Sequence, residues 1–177
     1  MVQSVELVLD DESDAAIRAA WVRLVEADLP SQGRRGGVSN RPHVTLVAFR
    51  ASDPSREAAI EAAVTAHLTA ATALRLGGLV VFGRGPFVLA RLVVSDPALL
   101  ALQAAVSAAV DDGGVSMTFS TPGQWTPHIT LAHRVQVDQL GAAVAIAAAP
   151  ESTVTVAGCR RWDGDARLEW RIGNADH

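Results

Sequence analysis

Two near-identical pentapeptides, Pro42-His43-Val44-Thr45-Leu46 and Pro127-His128-Ile129-Thr130-Leu131, sit about half a chain apart in a sequence of 177 residues. Each offers an imidazole and, two residues on, a hydroxyl. An imidazole with an ordinary pKa of about 6.5 can take a proton from one oxygen and give a proton to another near neutral pH. Two of them on opposite sides of a phosphorus suit an in-line displacement at a phosphodiester. Thr hydroxyls can donate to the nonbridging oxygens and stabilise the charge that develops there. A single His-x-Thr on a half-buried strand is an ordinary polar face, and repetition is what raises the pair above that. Paired histidines also ligate zinc, but each motif supplies one good ligand and carries no adjacent carboxylate or Cys. The expectation is therefore catalysis without a metal or other cofactor.

Strands must carry these residues. In a strand, His43 and Thr45 share one face and Val44 and Leu46 the other, with the same division of His128 and Thr130 from Ile129 and Leu131. Imidazole and hydroxyl then stand about 6.6 Å apart along the strand, backed by an apolar face that packs under helices. Two such strands side by side would line one cleft. Around them, residues 5–10 read as a first strand and Asp11 to Asp14 as the acidic start of a helix with an apolar stripe of Ile17, Trp21, Leu24 and Val25. The Gly-rich segment 31–40 reads as a polar loop able to act as a lid, and a helix is predicted over 54–73. Residues 74–82 and 87–94 form a hairpin around Gly83-Arg84-Gly85-Pro86, and Asp96-Pro97 opens a helix closed by Gly113-Gly114. A helix over 137–149 and strands over 153–161 and 166–172 finish the chain. This order predicts an α+β fold with mostly antiparallel sheets, and the repeat predicts two related lobes.

Composition narrows the function. With 49% hydrophobic residues the chain can bury a sizeable core, so residues 1–177 are expected to form a single domain. A formal charge of −4 argues against a protein that coats nucleic acid nonspecifically, though not against one that grips a single phosphate or an RNA end. All 15 basic residues are Arg, a side chain that grips phosphate with two parallel hydrogen bonds. No basic stretch followed by an apolar run opens the sequence and no segment suits a membrane span, so a cytoplasmic protein without membrane or obligate protein partners is expected. Cys159 is alone and reads as a small buried hydrophobe.

The doubled Pro-His-x-Thr-Leu motif resembles that of the two-histidine (2H) phosphoesterase superfamily, which includes 2′-5′ RNA ligases, RNA 2′,3′-cyclic phosphodiesterases and cyclic nucleotide phosphodiesterases. The resemblance implies a bilobal fold with pseudo-twofold related lobes around a central cleft. It further implies His43 and His128 as the catalytic pair, Thr45 and Thr130 as phosphate ligands, no metal, and an RNA end or small nucleotide bearing a cyclic phosphate as substrate. RNA-ligase-type members carry Phe five residues after the first His and Arg five after the second, where this sequence has Ala48 and His133. Phe49 and Arg134 follow one residue later. On unbroken strands Phe49 would share the face of His43 and Arg134 that of His128, where the ring can stack on a base or pack as core and the guanidinium can reach a second phosphate or stand solvated at the rim, and His133 would point away. Trp125 and Phe119 can line a base pocket or pack as core, and Arg34, Arg35 and Arg41 can gather a polyanion or stand solvated. A module that binds the same ligands without turnover is the alternative.

Overall fold

A computed structural model describes residues 2–50, 53–69, 72–110 and 118–173. Its strands are β1 (Gln3–Leu9), β2 (His43–Phe49), β3 (Ala73–Phe82), β4 (Phe87–Val93), β5 (His128–Val135), β6 (Ser152–Asp163) and β7 (Leu168–Ile172). Its helices are α1 (Asp11–Glu26), α2 (Glu57–His67), α3 (Pro97–Val110) and α4 (Leu140–Ala147). The predicted order holds, with α2 and α4 shorter than expected. Leu68 leaves helical geometry with its N–H still bonded to Val64, and Ala73 already pairs with Thr155 in the sheet. The two glycines expected to close α3 lie outside the described residues.

The sheet runs β2-β1-β6-β3-β4-β5 with every pairing antiparallel, and β7 joins β6 alongside. Read from its centre outward, the order gives two matched three-stranded halves: β6-β1-β2 and β3-β4-β5. The helices exchange between them. α1, which follows β1, packs on α4 and β5, whereas α3, which follows β4, packs on α2 and β2. Each lobe's core is thus completed by a helix from the other half of the chain. The fold is α+β, an antiparallel sheet flanked by helices, with the two motif strands at its opposite edges and in contact with each other.

Local chemistry explains the ends of α1. Asp10 caps it by accepting from the Ser13 N–H at 2.8 Å, and Asp11, Glu12 and Asp14 occupy its positive first turn. Its stripe of Ile17, Ala20, Trp21 and Leu24 is buried. Val44, Leu46, Ile129 and Leu131, the apolar faces of the two motifs, are buried under the helices, each stabilising the fold by about 1.5–3 kcal/mol. Among the described residues no helix is long and apolar enough to cross a membrane.

Candidate active site

The two histidines are held in the same way. His43 Nδ1 donates to the Arg41 carbonyl and His128 Nδ1 to the Thr126 carbonyl, each at 2.7 Å. A carbonyl can only accept, so the proton sits on Nδ1 in the neutral ring and Nε2 is left for chemistry. Thr45 and Thr130 stand partly exposed on the same faces.

Two tryptophan N–H groups tie the motif strands to the opposite half of the chain. Trp21 on α1 donates its Nε1–H to the Thr130 carbonyl at 3.1 Å, and Trp125, just before β5, donates its own to the Thr45 carbonyl at 2.9 Å. Each motif's threonine is therefore gripped from the other half of the chain. Gln103 adds bonds to the Leu46 and Ser120 carbonyls, and Ser120 Oγ bonds both backbone groups of Ala48. Trp125 packs against the core while making this bond, so its observed contact is with the motif strand. Trp125→Phe keeps most of the packing and removes the N–H. It is expected to lower the unfolding free energy by about 1 kcal/mol, and Trp21→Phe by a similar amount; denaturant curves indistinguishable from wild type would refute the cross-links.

The faces after each motif differ from the unbroken-strand expectation, for one reason repeated twice. In β2 the pairing with β1 slips between Val5 and Glu6, which face Val47 and Thr45, leaving Leu46 as an extra residue. In β5 the pairing with β4 slips between Leu89 and Ala90, which face Ala132 and Thr130, leaving Leu131 extra. A bulge of this kind reverses the alternation beyond it. Phe49 is consequently 3% exposed, its ring 4.5 Å from the buried Arg161 guanidinium, and it packs in the core instead of lining the cleft. Ala48 takes the side of His43 and Thr45.

His133 is the counterpart in β5. It joins the side of His128 and Thr130 instead of pointing away. Burial pushes its pKa down, and the nearby charges of Arg35, His128, His43 and Arg134 push it further. The sequence held a signal for this: Leu46-Val47 and Leu131-Ala132 are adjacent apolar pairs at the same offset from each histidine. Arg134 is exposed with a φ of 59°, a left-handed geometry that non-glycine residues seldom adopt. It stands at the rim.

The remaining candidates scatter. Arg41 turns its guanidinium to Asp14 at 3.4 Å, so its part in the site is the carbonyl that holds His43. Arg34 pairs with Asp28, and Phe119 is 83% exposed instead of forming core. In the 31–40 loop, Asn40 ties its end to the Gln32 and Arg35 carbonyls. Cys159 is buried as expected, and burial with the charge of Glu6 pushes its thiol up to about 12. No group of three His, Cys, Asp or Glu side chains suited to a metal gathers among the described residues.

One acidic group went unnoticed in the sequence. Glu6, opposite Thr45 on β1, is 6% exposed, and its Oε1 lies 3.7 Å from His43 Nε2. Burial would raise its pKa, but the charges of His43 and Arg160 and hydrogen bonds from Ser4 and Arg160 hold it below the usual carboxylate range. Among the described residues no carboxylate pairs with His128, which packs against the Phe82 ring with centroids 4.7 Å apart. Burial lowers its pKa, the bond to Thr126 partly offsets this, and the charge of His43 lowers it again.

Comparison with known proteins places this arrangement. The family model of the 2′-5′ RNA ligase superfamily matches residues 10–166. Among solved structures, E. coli LigT complexed with 3′-AMP superposes with a TM-score of 0.59 at 17% identity, covering 96% of this chain and 97% of that one. TT0787 of Thermus thermophilus gives 0.58 at 20% identity over 97% and 94%. Kluyveromyces marxianus Usb1 gives 0.57 at 12% identity over 97% and 98%. No curated protein matches in sequence.

Proposed function

The chain belongs to the 2′-5′ RNA ligase superfamily, and on that premise we propose that it is a metal-independent phosphodiesterase acting on 2′,3′-cyclic phosphate or 2′-5′ diester ends of RNA or nucleotides. His43 and His128 serve as the acid/base pair and Thr45 and Thr130 as phosphate donors, within one two-lobed unit. The observation that carries the reading is the matched seating of the two imidazoles. Each Nδ1 is tied to the carbonyl two residues back, on two edge strands in contact with each other, which supports the reading that the two Nε2 atoms serve one phosphate. That the solved relative LigT is complexed with 3′-AMP supports a nucleotide-sized ligand.

The chemistry follows from the groups in place. One Nε2 takes a proton from water as its oxygen attacks phosphorus; the other gives a proton to the ribose oxygen as its bond to phosphorus breaks. Thr45 and Thr130 donate to the nonbridging oxygens, whose charge grows in the transition state. In the reverse, ligating direction the two imidazoles exchange roles. The test is turnover of 2′,3′-cyclic nucleotides, cyclic-phosphate-ended RNA and 2′-5′ oligonucleotides in EDTA. Formation of the phosphomonoester is expected. Calorimetric binding of these ligands with no product would leave a binding module in place of an enzyme.

A further inference from the structure

The two halves of the site match closely, so their chemical differences stand out. Opposite the motif threonines, β1 presents Glu6 to Thr45, and β4 presents Ala90 to Thr130. Opposite the histidines both partners are apolar, Val8 for His43 and Leu92 for His128. A buried carboxylate thus flanks one imidazole, and an aromatic ring flanks the other.

The charges around Glu6 leave it one cation short. Arg160 lies 2.8 Å from Glu6, but the same guanidinium also binds Glu169. The guanidinium is divided between two carboxylates, so Glu6 keeps part of its negative charge toward His43 Nε2. Other groups facing His43 are His128 and His133 on β5; Arg41, just before it, is turned to Asp14 on α1. An imidazolium at His43 completes the balance, whereas one at His128 would stand against Phe82 and near His43. Matched groups set in unlike environments, one beside a carboxylate and the other half-buried against a ring, take opposite proton-transfer roles.

We propose that Glu6 is a positioning residue that sets the direction of proton flow, making His43 the proton donor to the departing ribose oxygen and His128 the acceptor from the attacking water. This rests on the phosphodiesterase reading above. In hydrolysis the water oxygen bonds to phosphorus and its proton passes to His128 Nε2. The bond from phosphorus to the ribose oxygen breaks, and that oxygen takes the proton from His43 Nε2. The products are a phosphomonoester, neutral His43 and protonated His128, which solvent resets.

Leaving-group chemistry separates the roles. On a 2′,3′-cyclic nucleotide, His43→Ala and His128→Ala are each expected to lose about 10²- to 10⁴-fold. On a nucleoside phosphodiester with a 4-nitrophenyl leaving group, which departs without a proton, His43→Ala recovers to within about tenfold of wild type, and His128→Ala does not. Rescue of His128→Ala instead, of both variants or of neither overturns the assignment. Glu6→Gln keeps an acceptor for Ser4 and leaves Arg160 paired with Glu169. It is expected to move the alkaline limb of the kcat/KM profile to lower pH and leave the acidic limb in place; an unmoved alkaline limb removes Glu6 from the mechanism. ¹⁵N NMR of the wild-type protein and of Glu6→Gln tests the same point without turnover, and an unchanged difference between the two histidines in Glu6→Gln removes Glu6 from the role. His43 is expected to be protonated at a pH where His128 is neutral, and the reverse order refutes the proposal. A wild type that turns over none of these substrates would defeat the phosphodiesterase reading, and the NMR order would still decide the role of Glu6.

Discussion

The double variant His43→Ala/His128→Ala is expected to hydrolyse a 2′,3′-cyclic phosphate hardly more slowly than the worse of the two single variants. Either replacement alone is expected to cost about 10²- to 10⁴-fold, and independent losses would multiply to about 10⁴- to 10⁸-fold. They do not multiply when both groups act in one displacement. Once the base is gone the attacking water carries its proton into the transition state, and a donor on the far side has little left to assist. What remains is the phosphate site built from Thr45 and Thr130 and the positioning it provides. Single-turnover rates of the three proteins on one substrate decide the matter. A fully multiplicative loss would mean that the histidines act in separate steps, and the paired-displacement reading would have to be abandoned.

Fixed seating is what makes that coupling possible, and only part of it was legible in the sequence. The repeat of Pro-His-x-Thr-Leu gave the pair, the strands and the faces of His43, Thr45, His128 and Thr130, because parity is a local property of four consecutive residues. Parity failed directly after the threonines, where Leu46 and Leu131 bulge. A bulge is a property of a strand and its partner together, and β5's partner β4 lies more than 30 residues away in the chain. The adjacent apolar pairs after each histidine were the available sign, and they decide that Phe49 belongs to the core and His133 to the site. Glu6 was hidden differently. Between Val5 and Leu7 it reads as the solvent face of a half-buried strand; its burial depends on Arg160 and Glu169, which no local pattern links to it. The reciprocal bonds of Trp21 and Trp125 are invisible for the same reason, since each donor and its carbonyl come from different halves of the chain.

Arg160→Met is expected to cost about 3–5 kcal/mol of stability at pH 7, because it strands a buried carboxylate. Arg160 and Glu6 are both 7% exposed in their side chains, and the methylenes of Met replace much of the lost volume, so charge dominates the deficit. The pH dependence has a definite sign. In the wild type Glu6 is held below the usual carboxylate range, so it contributes stability above an unfolded-state pKa of about 4.3 and loses it as pH falls through the lower folded value. In Arg160→Met the burial that already opposes the charged form acts without the guanidinium, and the carboxyl is driven upward. The variant is therefore penalised at neutral pH and relieved as acid protonates Glu6. The gap in urea unfolding free energy between variant and wild type should narrow from pH 7 toward pH 4. A gap of the same size at both pH values would show that Arg160 acts through its packing. Adding Glu6→Gln should recover much of the loss at pH 7, since removing both members of a buried pair costs far less than removing one. The same experiment bears on catalysis: the arginine that stabilises the carboxylate also divides its charge with Glu169, and that division leaves negative charge for His43 to answer.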